Sequence, residues 1–309
     1  MATIVSNQFK NLLDKHLNQV AEKEFEDLVK SEAMIPKLFD VMSGTSAWWE
    51  YMDISDAADI PKFSGELEYL QVYPGYTTRI EPAEFAAGIR FERKFIDDNQ
   101  WNVLRDRVGI LSQSYFRTKE KDAVKIFTNA FSSAFDYMTS EEGLSLCNNA
   151  HLSKSGATTT SGFDNLGTTA LNETSLEAAR IAANKFRNDI GERIYTNFDT
   201  FIVPDALART AYEIVGTDKG LYSAEGTVNV QKGRWNVIVY KLLDDTDSNN
   251  WYIADSRAMK RFLKWIDRVP MQTSSEFKEF DTFALKYSIY GRWGWGFTNW
   301  RWLMGFQVT

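Results

Sequence analysis

The sequence has very few of the side chains on which most enzymes depend. It contains one cysteine and two histidines among 309 residues. The single cysteine, Cys147, excludes an intramolecular disulfide framework and is typical of a protein made in a reducing compartment. These residues are also too few for a zinc site, which needs about four ligands. Neither a phosphate-binding Gly-x-x-x-x-Gly-Lys segment nor a dinucleotide-binding glycine fingerprint is present.

Long apolar runs and an excess of basic charge are absent as well. No apolar run reaches the length of about eighteen residues that a membrane-spanning helix needs. The first residues lack a basic region followed by an apolar run, so no signal peptide is expected. The net charge of −7 provides no basic surface for tight nucleic-acid binding. We therefore expect a soluble protein, made inside a cell, that does not grip nucleic acid.

Aromatic residues, by contrast, are abundant at 14%, a share typical of extensive packing or interface area. Residues 277–306 hold four of the ten tryptophans, and Phe283, Leu285, Tyr287 and Ile289 recur there at every second position. This alternation predicts a long strand with one buried face. We favour a core or an interface for these tryptophans over a platform for sugars or single-stranded bases. They are Trp293, Trp295, Trp300 and Trp302.

The first half of the chain is predicted to contain two long helices separated by a ribbon. Residues 7–30 carry a helical apolar stripe, which favours a surface helix over an arm on a neighbouring subunit. Residues 66–73 and 87–95 alternate apolar and charged side chains, and Pro-Gly within 74–78 is a turn candidate, so an antiparallel ribbon is expected. Asp97-Asp98-Asn99 would cap a helix running to about Met138.

The second half reads as an α/β region followed by strands. A loop rich in Ser, Thr and Gly precedes a helix, a buried strand, a second helix, a hairpin and a third helix. In order, these elements cover residues 153–169, 175–188, 200–203, 205–216, 234–240 paired with 251–254, and 256–266.

Two patterns in the sequence could suggest a catalytic or metal site, but neither has the residues that such a site requires. Cys147 and His151 are four residues apart, but no Gly-rich elbow that could form an oxyanion hole accompanies them. Asp245 to Asn249 imitates a calcium loop, yet Asn250 and Ser256 occupy the positions that require Gly and Glu. A polar turn is the favoured interpretation. We expect no enzyme, no cofactor and no metal.

Four segments together resemble the major capsid proteins of tailed bacteriophages, the family with the fold of the HK97 head protein, and most of all the Mu-like major head subunits. The likeness lies in the order and spacing of the segments, from about residue 50 to 306. They are the ribbon from Gly65 to Phe95 before the helix at Asp97, Leu144 to His151 before the Gly/Ser/Thr loop, Phe201 to Ile214, and Phe280 to Trp302.

The resemblance implies an α+β capsid fold with an N-terminal arm, an extended β-ribbon loop, a long spine helix, and peripheral and axial domains. The implied boundaries are 1–60 for the arm, 61–96 for the loop, 97–194 for the peripheral domain, 195–265 for the axial domain, and 266–309 for C-terminal strands that return to the peripheral domain or sheet junction. Arm and loop would make the assembly contacts. The residues proposed for them are Phe9, Leu13, Leu17, Glu66, Glu68, Tyr73, Tyr76, Arg79, Arg90 and Arg93.

The implied function is a major capsid protein whose hexamers and pentamers form an icosahedral shell around double-stranded DNA. Its partners would be copies of itself, a separate scaffolding protein, a portal and a decoration protein, with no membrane and no sequence-specific DNA binding. It would be located in the virion, assembled in the host cytoplasm. Two alternatives stay open, an encapsulin-type nanocompartment shell and a Trp-rich carbohydrate-binding domain.

Overall fold

A computed structural model describes residues 6–54, 56–63, 65–67, 69–98, 100–216, 229–276 and 284–308. The helices are α1 (Ser6–Glu32), α2 (Ile35–Leu38), α3 (Lys94–Asp97), α4 (Trp101–Thr128), α5 (Glu173–Ala183), α6 (Asp205–Gly216) and α7 (Ser256–Phe262), with a 3-10 turn at Lys241–Leu243. The strands are β1 (Asp40–Ser43), β2 (Trp49–Ile54), β3 (Pro74–Ile80), β4 (Ala83–Phe91), β5 (Thr139–Ser140), β6 (Leu166–Gly167), β7 (Thr200–Val203), β8 (Asn236–Val239), β9 (Trp251–Ala254), β10 (Leu263–Glu276), β11 (Leu285–Phe297) and β12 (Leu303–Phe306).

The strands form three sheets. A four-stranded sheet has the order β1-β10-β11-β4, a five-stranded sheet the order β6-β12-β9-β7-β8, and a three-stranded sheet the order β2-β3-β5. The long hairpin β10–β11 pairs antiparallel from Leu263 with Phe297 to Glu276 with Lys286. The C-terminal strands therefore serve two sheets, since β11 lies beside β4 whereas β12 lies beside β9.

Helix α4 joins these layers because its buried stripe contacts several of them. Leu104, Val108 and Phe127 are fully buried along it, as the 3.6-residue period of an amphipathic helix requires. Helix α1 packs on it, with the rings of Phe25 and Tyr115 edge to face at 5.5 Å. The described part of α1 is thus a helix packed on its own subunit.

Several predictions are confirmed by these elements. α1 covers the predicted residues 7–30, β7 covers 200–203 and α6 covers 205–216. Leu285, Tyr287 and Ile289 all lie on the buried face of β11, as their alternation predicts, whereas Phe283 lies outside the described residues.

The predicted ribbon is wrong in its first strand, its turn and its pairing, whereas the second strand is present as β4 over Ala83–Phe91. Residues 74–78 belong to strand β3, which pairs with β2 as a hairpin over residues 49–80. A side chain at Gly75 would lie 2.7 Å from the carbonyl oxygen of Asp53, so Pro-Gly here permits close strand pairing and makes no turn. The described part of 66–73 forms no strand, and residues 83–91 pair with β11 in a different sheet.

The expected hairpin of 234–240 with 251–254 is also wrong. Both segments contain strands, β8 and β9, but β7 lies between them, parallel to β8 and antiparallel to β9. The alternating pattern identified the strands, whereas only tertiary packing chooses their neighbours.

The boundaries of three helices need correction. α4 begins after Gln100 and ends at Thr128, about ten residues before Met138, because the chain turns away there. α5 begins at Glu173, where Asn172 and Ser175 form a reciprocal capping box. α7 ends at Phe262, and the following residues join β10.

Glu120 places a carboxylate in the middle of the core. It is 4% exposed and accepts the backbone N–H groups of Met34 at 3.1 Å and Ile35 at 3.5 Å. Burial raises its pKa above the ordinary value of 4.5, and these hydrogen bonds oppose the rise only in part. Since the folded-state pKa exceeds the unfolded one, Glu120 favours folding at low pH, and this contribution is lost as the pH rises above 4.5.

Glu120→Gln is therefore expected to gain stability relative to the wild type as the pH rises from about 4 to about 7, because the amide cannot ionise. The gain is about 1.4 kcal/mol for each unit by which burial raises the pKa. Urea unfolding at a series of pH values measures it, with Glu26→Gln on the exposed face of α1 as the control. A difference from the wild type that does not vary with pH would contradict the assignment.

Candidate assembly surfaces

The side chains that could have carried chemistry are committed to packing. Cys147 is buried at 1% exposure, and burial raises its pKa far above that of a free thiol, so it is not poised to act as a thiolate nucleophile. The Asp245–Asn250 segment is a polar turn in which Asp247 accepts the N–H of Asn249 at 2.9 Å. Within the described ranges, no group of three or more His, Cys, Asp or Glu residues could hold a metal ion.

The tryptophan cluster is a core, as favoured from the sequence. Trp293, Trp295, Trp300 and Trp302 are at most 5% exposed. Trp302 donates its indole N–H to the carbonyl of Asn299 at 2.7 Å. A platform for sugars or bases needs exposed ring faces, and these rings do not offer them.

The β2–β3 hairpin is attached to its own subunit by a polar cluster. The carboxylate of Glu141 accepts the N–H and the hydroxyl of Thr77 at 2.8 and 3.0 Å and the ammonium of Lys154 at 2.5 Å. The Lys154 contact, followed by the Thr77 bonds, lowers the pKa of Glu141 to about 2. On the other side, Asn299 donates to Asp53 at 2.5 Å.

Between β2 and β3 the chain forms what we call the tip segment, residues 56–73, of which 56–63, 65–67 and 69–73 are described. Its large apolar side chains face outwards. Ile60 is 90% exposed, Phe63 69%, Leu67 75% and Tyr69 88%. Such a run is unusual on an isolated protein and marks a surface that another molecule covers. None of these four was among the residues proposed from the sequence, although their position in a Pro- and Gly-containing stretch was a usable signal.

The proposed loop residues lie partly in this region. Glu66 is exposed in the tip segment, Glu68 lies outside the described residues, and Tyr73 donates its hydroxyl to Gln71 at 2.6 Å. Tyr76 and Arg79 lie on β3, where the Tyr76 ring lies 5.7 Å from the Lys154 ammonium.

The remaining proposed residues are spread over other elements. Arg79 pairs with Glu81 and covers the Trp48 ring at 4.7 Å. Arg90 is exposed on β4, and Arg93 pairs with Asp97 at 3.3 Å. Leu17 is 1% exposed and is packed inside its own subunit. The side chains of Phe9 and Leu13 lie outside the described residues.

A second apolar surface lies between α4 and the outer strand β4. It is a groove of about 260 Å³. Phe85 stacks on Trp293 at 3.9 Å along its wall. Its lining also includes Ala86, Ala87, Leu111, Thr118 and Ile289. The exposed charged residues of α4 are mainly basic, namely Arg105, Arg107, Arg117 and Lys121, with Asp106 as the acidic exception.

No described helix is long and apolar enough to cross a membrane.

Comparison with known proteins agrees with this architecture. The family described as "Phage capsid protein" matches residues 75–304, more than half of the chain. No curated protein matches the chain.

Solved structures of low sequence identity share the fold. A chain of Microbacterium phage Oxtober96 has a TM-score of 0.54 at 8% identity, covering 90% of this chain and 92% of that one. The capsid of Ralstonia phage GP4 gives 0.51 at 14% identity, with 87% and 85% covered. A chain of Mycobacterium phage Cain gives 0.50 at 13% identity, with 88% and 89% covered. The predicted α+β fold of HK97-like capsid proteins is confirmed, and the chain belongs to the phage capsid protein family.

Proposed function

We propose that this chain is a major head subunit that assembles as hexamers and pentamers into an icosahedral shell around double-stranded DNA. The observation that carries the proposal, beside the family, is the tip segment with its uncovered apolar side chains. Large permanent interfaces bury roughly 2,000 Å² or more, and a shell subunit needs such contacts with several neighbours at once. The acidic net charge of −7 suits a lining along which packaged DNA slides without being gripped.

Finer features of the proposal rest on the resemblance and on the order of the elements. They are membership of the Mu-like subfamily, assembly in the host cytoplasm, and partnership with separate scaffolding, portal and decoration proteins. The division into arm, extended loop, peripheral domain and axial domain belongs here as well. The β2–β3 hairpin over 49–80 is the segment that best suits the extended loop, since it carries the tip segment with its exposed apolar side chains.

The tip segment is proposed to dock on the α4–β4 groove of a second copy. Both surfaces are apolar. The tip segment contains four acidic residues and one lysine, Lys62, whereas the exposed charged residues of α4 are mainly basic, although the groove lining itself includes Glu84. Because the two patches differ, the contact is head to tail, and repeated head-to-tail contacts close into rings such as hexamers and pentamers.

A double-cysteine variant, Leu67→Cys with Ala87→Cys, tests this contact. Both positions are exposed, one in the tip segment and one on β4, and the native Cys147 is buried and will not compete. Mild oxidation of assembled particles is expected to produce disulfide-linked oligomers up to closed rings, seen on non-reducing gels. Leu67→Cys with Ile181→Cys, on the exposed side of α5, is the matched control and should remain monomeric.

Two outcomes would separate the parts of the proposal. Shells visible by negative-stain electron microscopy, but without linked oligomers, would contradict the docking site and leave the shell function intact. A purified chain that stays monomeric under all salt and crowding conditions would count against self-assembly itself.

A further inference from the structure

His151 is a buried histidine whose two ring nitrogens both face oxygen atoms. It is 1% exposed. Its Nδ1 lies 2.9 Å from Oε1 of Glu142, and its Nε2 lies 3.0 Å from Oδ1 of Asn165. The Trp300 ring stacks on the imidazole at 4.1 Å. Neither nitrogen has access to water that could replace these partners.

The orientation of the Asn165 amide is determined by its other hydrogen bonds. Its Nδ2 donates to the carbonyls of Leu146 at 2.9 Å and Leu303 at 3.0 Å, and its Oδ1 accepts the N–H of Asn148 at 2.8 Å. Turning the amide over would place an oxygen against two carbonyls and an NH₂ group against an N–H donor. The atom facing Nε2 of His151 is therefore an acceptor.

Glu142 presents an acceptor on the other side of the ring. Its Oε1 also accepts the N–H of Leu152 at 3.2 Å, as a carboxylate oxygen does. A neutral imidazole has only one N–H, so one of its nitrogens would face an oxygen with lone pair against lone pair. Burial makes such an unmatched pair costly.

We infer that His151 is held as an imidazolium between Glu142 and Asn165, forming a proton-dependent joint between two sheets. Glu142 lies two residues after the end of β5 of the three-stranded sheet. Asn165 precedes β6 and holds β12 of the five-stranded sheet, through Leu303 and through its own carbonyl, which accepts the N–H of Gly305 at 3.0 Å. Loss of the proton removes one of the two hydrogen bonds that span the joint.

The surrounding charges are compatible with a cation at this position. The guanidinium of Arg301 lies 4.7 Å from the Trp300 ring and is neutralised by Asp189 at 2.7 Å. Lys154 is neutralised by Glu141. Burial first, and then Glu142, Asp189 and Glu141, raise the pKa of Tyr76, which indicates that acidic groups dominate this corner of the subunit.

The protonation state can be read directly by nitrogen NMR of protein labelled with ¹⁵N-histidine, as assembled particles or as the purified subunit. The chain has only one other histidine, His16, which is exposed on α1 and serves as the internal reference. At neutral pH both ring nitrogens of His151 are expected to give the signals of protonated nitrogen. A His151 spectrum with one unprotonated nitrogen would overturn the inference.

Glu142→Gln provides the matched variant. The amide oxygen can still accept from Leu152 and from the ring, but the negative charge is gone. In the variant, one ring nitrogen of His151 is therefore expected to give the signal of unprotonated nitrogen at neutral pH. An unchanged spectrum would show that Glu142 does not hold the proton.

The consequence for the fold is measured by thermal unfolding. His151→Gln removes the ring that contacts both Glu142 and Asn165, so its Tm is expected to be lower than that of the wild type. His16→Gln should match the wild type. Equal Tm values for all three proteins would overturn the joint, and the NMR result stands even where His151→Gln fails to fold.

Discussion

Shells are expected to be absent when Phe63, Leu67 and Tyr69 are all replaced by serine, while the subunit itself stays folded. The three side chains are 69%, 75% and 88% exposed, so the isolated subunit loses almost no packing. Covering each of them in an interface contributes about 1.5–3 kcal/mol, and every subunit of a ring repeats the contact. Removing all three side chains takes away more favourable free energy than the small net free energy of association that remains after its entropic cost is subtracted. Electron microscopy and light scattering measure the result.

The control for this variant changes three other exposed apolar residues to serine. Ile181, Tyr212 and Val230 are 45%, 56% and 68% exposed and lie on and beside α5 and α6, away from the hairpin. We expect that triple variant to form shells. Normal assembly of the tip variant, or failure of both variants, would contradict a specific role for the tip segment. Equal Tm values for the unassembled proteins exclude misfolding as the cause.

Trp293→Ala is expected to lower the free energy of unfolding of the subunit by about 3–5 kcal/mol. Trp293 is fully buried where β11, β4 and α4 meet. It stacks on Phe85 at 3.9 Å, meets Tyr115 edge to face at 5.3 Å, and donates its N–H to Asp122 at 3.0 Å. The alanine leaves a cavity and removes a hydrogen bond from a carboxylate that is 5% exposed.

Two further variants calibrate this loss in urea unfolding. Trp293→Phe retains most of the ring contact and lacks the N–H, so it should lie between alanine and the wild type. Trp48→Ala removes a tryptophan that is 45% exposed. Its contact with the guanidinium of Arg79 contributes about 1 kcal/mol at most. Similar losses for Trp48→Ala and Trp293→Ala would mean that the junction is not the centre of stability.

The strand predictions were correct where a single buried face of the strand determines the alternation of apolar residues. The alternation in β11 identified its buried side chains, because a strand with one covered face must place apolar residues at every second position. The same rule could not name partners. Residues 83–91 lie close in sequence to the β2–β3 hairpin, and their side chains alternate as those of a strand do. They nevertheless pair with β11, about two hundred residues away in the chain.

The sequence indicated the region of the proposed assembly surface but not its apolar residues. The stretch before the long helix was proposed for assembly contacts, with charged residues such as Glu66 and Arg79. Ile60 and Leu67 were missed because an apolar residue in sequence reads as core, and only the fold shows that they are exposed. Leu17 shows the converse, since its own subunit buries it.

Composition and pattern by themselves predicted a protein of helices and aromatic strands, because residue content and periodicity are local properties. The α+β capsid fold was implied by the resemblance of its segments, in order and spacing, to phage capsid proteins. The tertiary structure decided which strands are neighbours, which apolar residues stay uncovered, and how His151 is enclosed between Glu142 and Asn165. Those outcomes depend on contacts between residues far apart in the chain, whose free energies exist only once the chain has folded.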